Sequence, residues 1–127
     1  ITEIFKATIH RKRPFMYNPD IPDLKIKRRS WQSFFSGHTS GVAAMSFFFA
    51  TTYAAYNPNS RLKPMVWTIC AAMPLVTGVL RYEAGEHYWT DVITGYLVGA
   101  AVGMAVPYLH SVKWKFNQRK SKKPSPL

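Results

Sequence analysis

Charged residues vanish from three stretches of the chain. No Asp, Glu, Lys or Arg occurs from Ser30 to Ser60, from Met65 to Leu80, or from Val92 to Val112. A helix that crosses a bilayer needs roughly 20 mostly apolar residues. The first and third stretches are long enough. The second, MVWTICAAMPLVTGVL, has 16 residues and contains Pro74. Alone it would pass for a buried core helix. Between two longer stretches it reads as a span, because membrane helices tolerate Pro where neighbours satisfy the freed carbonyl. The pattern predicts three helices, at about Gly37–Tyr56, Met65–Leu80 and Thr90–His110. NPNSRLKP is a tight polar connection between the first two, and RYEAGEHYW a short loop between the last two.

Upstream, Ile1, Ile4, Phe5, Thr8 and Ile9 form one stripe, which predicts a helix over residues 1–12. Pro14, Pro19 and Pro22 then exclude regular structure, leaving PFMYNPDIPDLKIKRRS as a loop long enough to suggest a function. The chain does not begin with Met and shows no secretory signal. It reads as starting in the middle of a longer protein, with further sequence expected upstream. On the third helix Gly95, Gly99 and Gly103 fall four apart, a register that lets helix backbones approach closely in membranes. The expected fold is all-α: an integral membrane helical bundle, with residues 1–127 as one domain and 113–127 as a basic, disordered tail.

Charge changes the picture next. The net charge is +11, gathered in HRKRP (10–14), KIKRR (25–29) and KWKFNQRKSKK (113–123). Such patches suit nucleic acid, anionic lipid or a phosphorylated substrate. In the tail they read as membrane-flanking charge. Only KWKFNQRK interleaves cations with aromatics as nucleic-acid binding requires, so no nucleic-acid partner is expected. Cys70, the only cysteine, excludes an internal disulfide and reads as a small core residue.

Three alternating helices put residues 1–35 and 81–91 on one side of the membrane, and the 57–64 loop and the tail on the other. The candidate chemistry converges on the first side. Lys6, Arg13 and Arg81 supply three cations, two of them planar guanidiniums suited to phosphate oxygens. Ser36, Gly37 and His38 stand at the start of the first helix, where backbone N–H groups can hold an anion. Ser36 is equally a plausible helix cap. His87 and Asp91, four apart, share one helix face. A histidine held by a carboxylate can attack phosphorus, and a second histidine, His38, can protonate the leaving oxygen. A metal-dependent site would draw on Glu83, Glu86, His87 and Asp91, but three basic residues crowd the same place and argue against a cation.

Lys6-x6-Arg13-Pro14, Ser36-Gly37-His38 and Arg81-x5-His87-x3-Asp91 together resemble the three-part signature of the type-2 phosphatidic acid phosphatase family, which includes membrane lipid phosphate phosphatases and vanadium haloperoxidases. The resemblance runs from Lys6 to Asp91. It implies that Lys6, Arg13, Ser36, Gly37 and Arg81 bind phosphate, that His87 forms a phosphohistidine, that Asp91 orients it and that His38 is the general acid. It also implies no metal or other cofactor, vanadate inhibition, and a chain holding the last three helices of a six-helix fold. Phe35 replaces the usual Pro of the second motif. Leu80 replaces the usual Ser of the third, removing a hydroxyl that could serve the phosphate.

The expected function is a membrane-embedded phosphatase for a lipid phosphate or pyrophosphate, of the phosphatidic acid, phosphatidylglycerophosphate, undecaprenyl pyrophosphate or lipid A class. The lipid tail would remain in the bilayer while the headgroup enters the site. Two alternatives are a tethered phosphatase for small soluble phosphoesters and a non-enzymatic protein that binds anionic lipid. The Lys and Arg counts on the two sides, 9 and 8, nearly cancel. Phosphate binding accounts for the site-side cations but not for those of the tail. That places the tail in the cytoplasm and the site outside, in the periplasm if the membrane is a bacterial inner membrane.

Overall fold

The computed structural model describes Ile4, residues 8–20 and residues 28–121; for 28, 29 and 111–121 it describes the backbone alone. Three α-helices dominate: α1 (Gly37–Tyr56), α2 (Lys63–Glu83) and α3 (Trp89–Ser121). Among the described residues there is no β-strand beyond an isolated parallel bridge between Arg11 and Gln32.

α1 begins where a cap allows it. The Ser36 hydroxyl accepts from the Thr39 amide at 3.3 Å and meets the Thr39 hydroxyl at 2.9 Å, satisfying one of the orphan donors of the first turn. α2 starts two residues earlier than expected, because Pro64 fits the first turn, where a missing N–H costs nothing. It also runs on to Glu83, which brings Arg81 into its last turn. Gly85, at φ +66°, then reverses the chain in a conformation that favours glycine. The Phe15 amide donates to the Gly85 carbonyl at 3.1 Å, docking the N-terminal loop on this turn.

Two expectations about the ends fail. The chain continues as helix past His110 to Ser121, so the first part of the basic tail is not a coil. Pro107 does not stop the helix, and the Lys-, Arg- and Gln-rich residues beyond it are good helix formers. At the other end Ile4 and Thr8 are helical, with the Thr8 hydroxyl donating to the Ile4 carbonyl at 2.9 Å, but Ile9 and His10 are not. Residues 11–13 are drawn away to pair with 30–33: the Arg13 amide donates to Ser30 O at 2.9 Å, and the Ser33 amide to Arg11 O at 3.0 Å. Pro14 also disfavours a helical Arg13. Within the loop, Pro14–Tyr17 and Arg28–Trp31 form short 3-10 turns.

α1 lies in the middle and packs chiefly on α3. A Cβ at Gly95 would stand 2.7 Å from the Ser36 carbonyl oxygen; at Gly99 and Gly103 it would overlap the carbonyls of Ser40 and Ala44. The glycine stripe of α3 therefore lies directly on the α1 backbone. Below it Ala43, Phe47 and Ala100 form the core, with Trp67, Ala71 and Tyr96 packed around them. The Phe47 ring meets Tyr96 edge-on at 5.8 Å.

α2 (Lys63–Glu83) and the Trp89–His110 part of α3 are long and apolar enough to cross a membrane. α1, which carries His38 and the hydroxyls of Thr39, Ser40, Ser46, Thr51 and Thr52, is not one of them. Among the described residues two helices are thus candidate spans where three were expected.

Candidate active site

The start of α1, the end of α2 and the start of α3 meet at one end of the bundle, as the alternation of the helices requires. The tie is direct: the Ser36 amide donates to the Asp91 carbonyl at 3.1 Å. Ser36-Gly37-His38 and His87-x3-Asp91, half the chain apart, therefore share one location.

Asp91 is fully buried and His87 is 2% exposed. Their side chains face each other, with His87 Nδ1 3.7 Å from Asp91 Oδ2. That is ion-pair range but too long for a hydrogen bond, and Nδ1 has no hydrogen-bond partner. The carboxylate is meanwhile well served. Its Oδ1 accepts from Arg11 Nη1 at 2.7 Å. Its Oδ2 accepts from the Ser33 hydroxyl at 2.5 Å and from the Tyr88 amide at 3.1 Å. A buried carboxylate needs such donors, because desolvating it unpaired costs several kcal/mol. The Arg11 guanidinium also donates to the Thr90 hydroxyl at 2.8 Å and lies 4.2 Å from the centre of the Tyr88 ring. Burial holds the Tyr88 phenol above its usual range, with Tyr17 and Asp91 adding to the shift and Arg11 opposing it. Tyr88 therefore stays neutral beneath the guanidinium, and Asp91 is Arg11's anionic partner.

The other expected residues are placed as follows. Arg13 is largely enclosed and ion-paired with Glu86, next to His87 in sequence. Gly37 and His38 form the first turn of α1, with His38 exposed. The Ser36 side chain is engaged as the helix cap, and its amide by Asp91. Arg81 is half-buried in the last turn of α2, its carbonyl accepting from the Glu86 amide at 3.1 Å. Lys6 lies outside the described residues, as does the 25–27 part of the second basic patch. Among the described residues no three His, Cys, Asp or Glu side chains gather as a metal ion would require.

Arg11 and Ser33 were not among the expected site residues. Both reach Asp91 only because segment 11–13 pairs with segment 30–33, a long-range contact that no local spacing announces.

Comparison with known proteins finds lipid phosphatases among the chain's relatives. A probable lipid phosphate phosphatase 4 of Arabidopsis thaliana is 24% identical over 92% of this chain and 45% of its own length. Phospholipid phosphatase 1 of Rattus norvegicus is 27% identical over 84% of this chain and 45% of its own length. Human phospholipid phosphatase 2 is 34% identical over 55% of this chain and 25% of its own length. The chain thus spans about half the length, or less, of the curated relatives it matches. No solved structure matches significantly. The profile of the PAP2 superfamily covers residues 1–115, all three motifs included, and the chain belongs to that superfamily.

Proposed function

We propose that this chain carries the catalytic end of a membrane-embedded phosphatase that removes phosphate from a lipid phosphate or pyrophosphate without a metal ion. The observation that carries the reading is the buried His87–Asp91 pair tied to the N-terminus of α1 through the Ser36 amide. The relatives named above, lipid phosphate and phospholipid phosphatases, support the substrate class.

In the proposed reaction Lys6, Arg13 and Arg81 hold the phosphoryl oxygens together with the first turn of α1 at Gly37, and Ser36 shapes that turn. His87 attacks phosphorus and forms an N–P bond while the P–O bond to the lipid breaks. His38 gives its proton to the departing oxygen. Water then attacks the phosphohistidine, delivering its proton back to His38, and releases inorganic phosphate and free His87. The cations and amides stabilise charge that builds on the phosphoryl oxygens, and fixed donors do this at little reorganisation cost. Asp91 supports the ring as it becomes positive.

A lipid substrate also fits the outer surface. Only 17% of the apolar window of α2 and 28% of that of α3 is buried within the structure. Met65, Ile69, Met73, Val76 and Leu80 are all exposed along α2. A soluble core helix would hide these side chains, whereas hydrocarbon accepts them. In this reading α1 is a third span, sheltered by its neighbours. The site faces away from the cytoplasm and the tail lies within it.

The test is phosphate release by the full-length protein in detergent, over a panel of lipid phosphates and pyrophosphates beside small soluble esters. Release from lipids at the higher kcat/KM supports the reading. Preference for soluble esters would favour a tethered acid phosphatase, and no release from any substrate would favour a lipid-binding protein.

A further inference from the structure

The geometry points to Arg11 and Ser33 as positioning residues that lock the Asp91 carboxylate in place for His87. This inference rests on the phosphohistidine reading and adds to it two side chains that are not among the named positions of the three motifs. Both oxygens of the fully buried Asp91 are held: Oδ1 by Arg11 at 2.7 Å, Oδ2 by Ser33 at 2.5 Å and by the Tyr88 amide at 3.1 Å. Oδ2 already accepts two hydrogen bonds, and His87 Nδ1 stands 3.7 Å from it, so the ring makes no hydrogen bond to Asp91 at rest. When nitrogen attacks phosphorus, the ring takes on positive charge and the fixed anion beside it attracts it more strongly. An interaction that grows between ground and transition state accelerates the step. It works only if Asp91 does not swing away, and Arg11 and Ser33 prevent that.

Arg11 is suited to this task and not to holding substrate. A single nitrogen, Nη1, makes both of its contacts, to Asp91 and to Thr90. Its planar group lies over the Tyr88 ring. Because it follows Ile9-His10 and pairs with Gln32, it ties the loop of the first motif to α3. Ser33 does the same for the segment leading into the second motif. The three motifs therefore converge on one carboxylate.

The experiment compares Arg11→Gln, Arg11→Lys and Ser33→Ala with wild type and His87→Ala in the full-length protein. The readouts are kcat, KM, inhibition by inorganic phosphate and inhibition by orthovanadate. Phosphate occupies the oxyanion contacts without bonding to His87, whereas vanadate bonds to the nucleophile and so reports its placement. Arg11→Gln and Ser33→Ala should lower kcat by about 10- to 100-fold and weaken vanadate inhibition in proportion. Phosphate inhibition and KM should stay within about two-fold. Arg11→Lys should recover most of the loss, since one nitrogen at that point suffices. Arg61→Gln, at an exposed position in the turn between α1 and α2 at the opposite end of the bundle, should change nothing. Parallel weakening of phosphate and vanadate inhibition would overturn the inference, because Arg11 would then be binding the phosphoryl group itself. If Arg11→Gln does not fold, Ser33→Ala carries the test by the same criteria. Full activity in folded Arg11 and Ser33 variants, with His87→Ala dead, overturns this inference alone. Activity in His87→Ala overturns the phosphohistidine reading as well.

Discussion

Replacing Gly95 by alanine should damage the enzyme through the backbone it touches. A methyl carbon there would stand 2.7 Å from the Ser36 carbonyl oxygen, whereas ordinary contact begins at 3.4 Å. The obstacle is backbone at the first turn of α1 and cannot rotate aside. α3 must therefore retreat by the difference, about 0.7 Å. Overpacking of this kind costs about 1–3 kcal/mol, and the better helix propensity of Ala returns about 1 kcal/mol. The net loss is up to about 2 kcal/mol. The functional loss should exceed the stability loss, because the retreat of α3 also pulls the Asp91 carbonyl, one turn earlier, away from the Ser36 amide. A misplacement of about 1 Å can cost about 100-fold in rate, so a fall in kcat of at least about 10-fold is expected. Gly41→Ala is the matched comparison. Nothing lies within 4 Å of a Cβ at Gly41, and the exchange should stabilise by about 0.5–1 kcal/mol. Thermal unfolding in detergent and phosphate release are measured on both variants. A Gly95→Ala enzyme as stable and active as wild type, or a Gly41→Ala enzyme equally impaired, would refute the reasoning.

His38→Ala should lose about 10²–10⁴-fold on a lipid phosphate, whose alkoxide needs a proton to leave, but far less on a nitrophenyl phosphate; equal loss on both substrates would remove His38 as the acid. Activity should persist in excess EDTA and be blocked by vanadate, and loss in EDTA restored by a divalent cation would contradict a charge supply from Lys6, Arg13 and Arg81. Glu86→Gln releases Arg13 from its ion pair, so KM for the lipid should fall by about 2- to 5-fold, the value of a partly exposed pair; a raised KM would mean that Glu86 orients Arg13 for substrate and does not compete with it.

What could be read from the sequence followed local rules. α1 was placed at Gly37–Tyr56 because Ser36 can cap a helix and the polar NPNS segment ends it. The spacing of four also suggests that His87 and Asp91 share a helix face. Their side chains do face each other, but His87 lies in the turn before α3, which starts at Trp89, so it is the turn and not a helix face that brings them together. The convergence of the motifs followed from counting helix reversals between them. Arg11 and Ser33 escape because their role depends on a short parallel pairing of two irregular segments, 80 and 58 residues away in sequence from the carboxylate they hold. α3 outruns the apolar pattern, which stops near His110, whereas the helix continues to Ser121. Charge ends a membrane-buried segment, but Lys and Arg are good helix formers once the chain leaves the apolar phase. The Ser36 hydroxyl accepts from the Thr39 amide as a cap, one of the two roles that the sequence offers for it.

The central claim is that His87 carries the phosphoryl group. Its most direct test is rapid quenching of the full-length enzyme with a ³²P-labelled lipid phosphate, under alkaline conditions that preserve phosphohistidine, followed by mapping of the labelled peptide. The account predicts label on the peptide containing His87 in the wild type and none in His87→Ala. Label that survives in His87→Ala, or turnover in the wild type with no labelled protein at any time point, would contradict it.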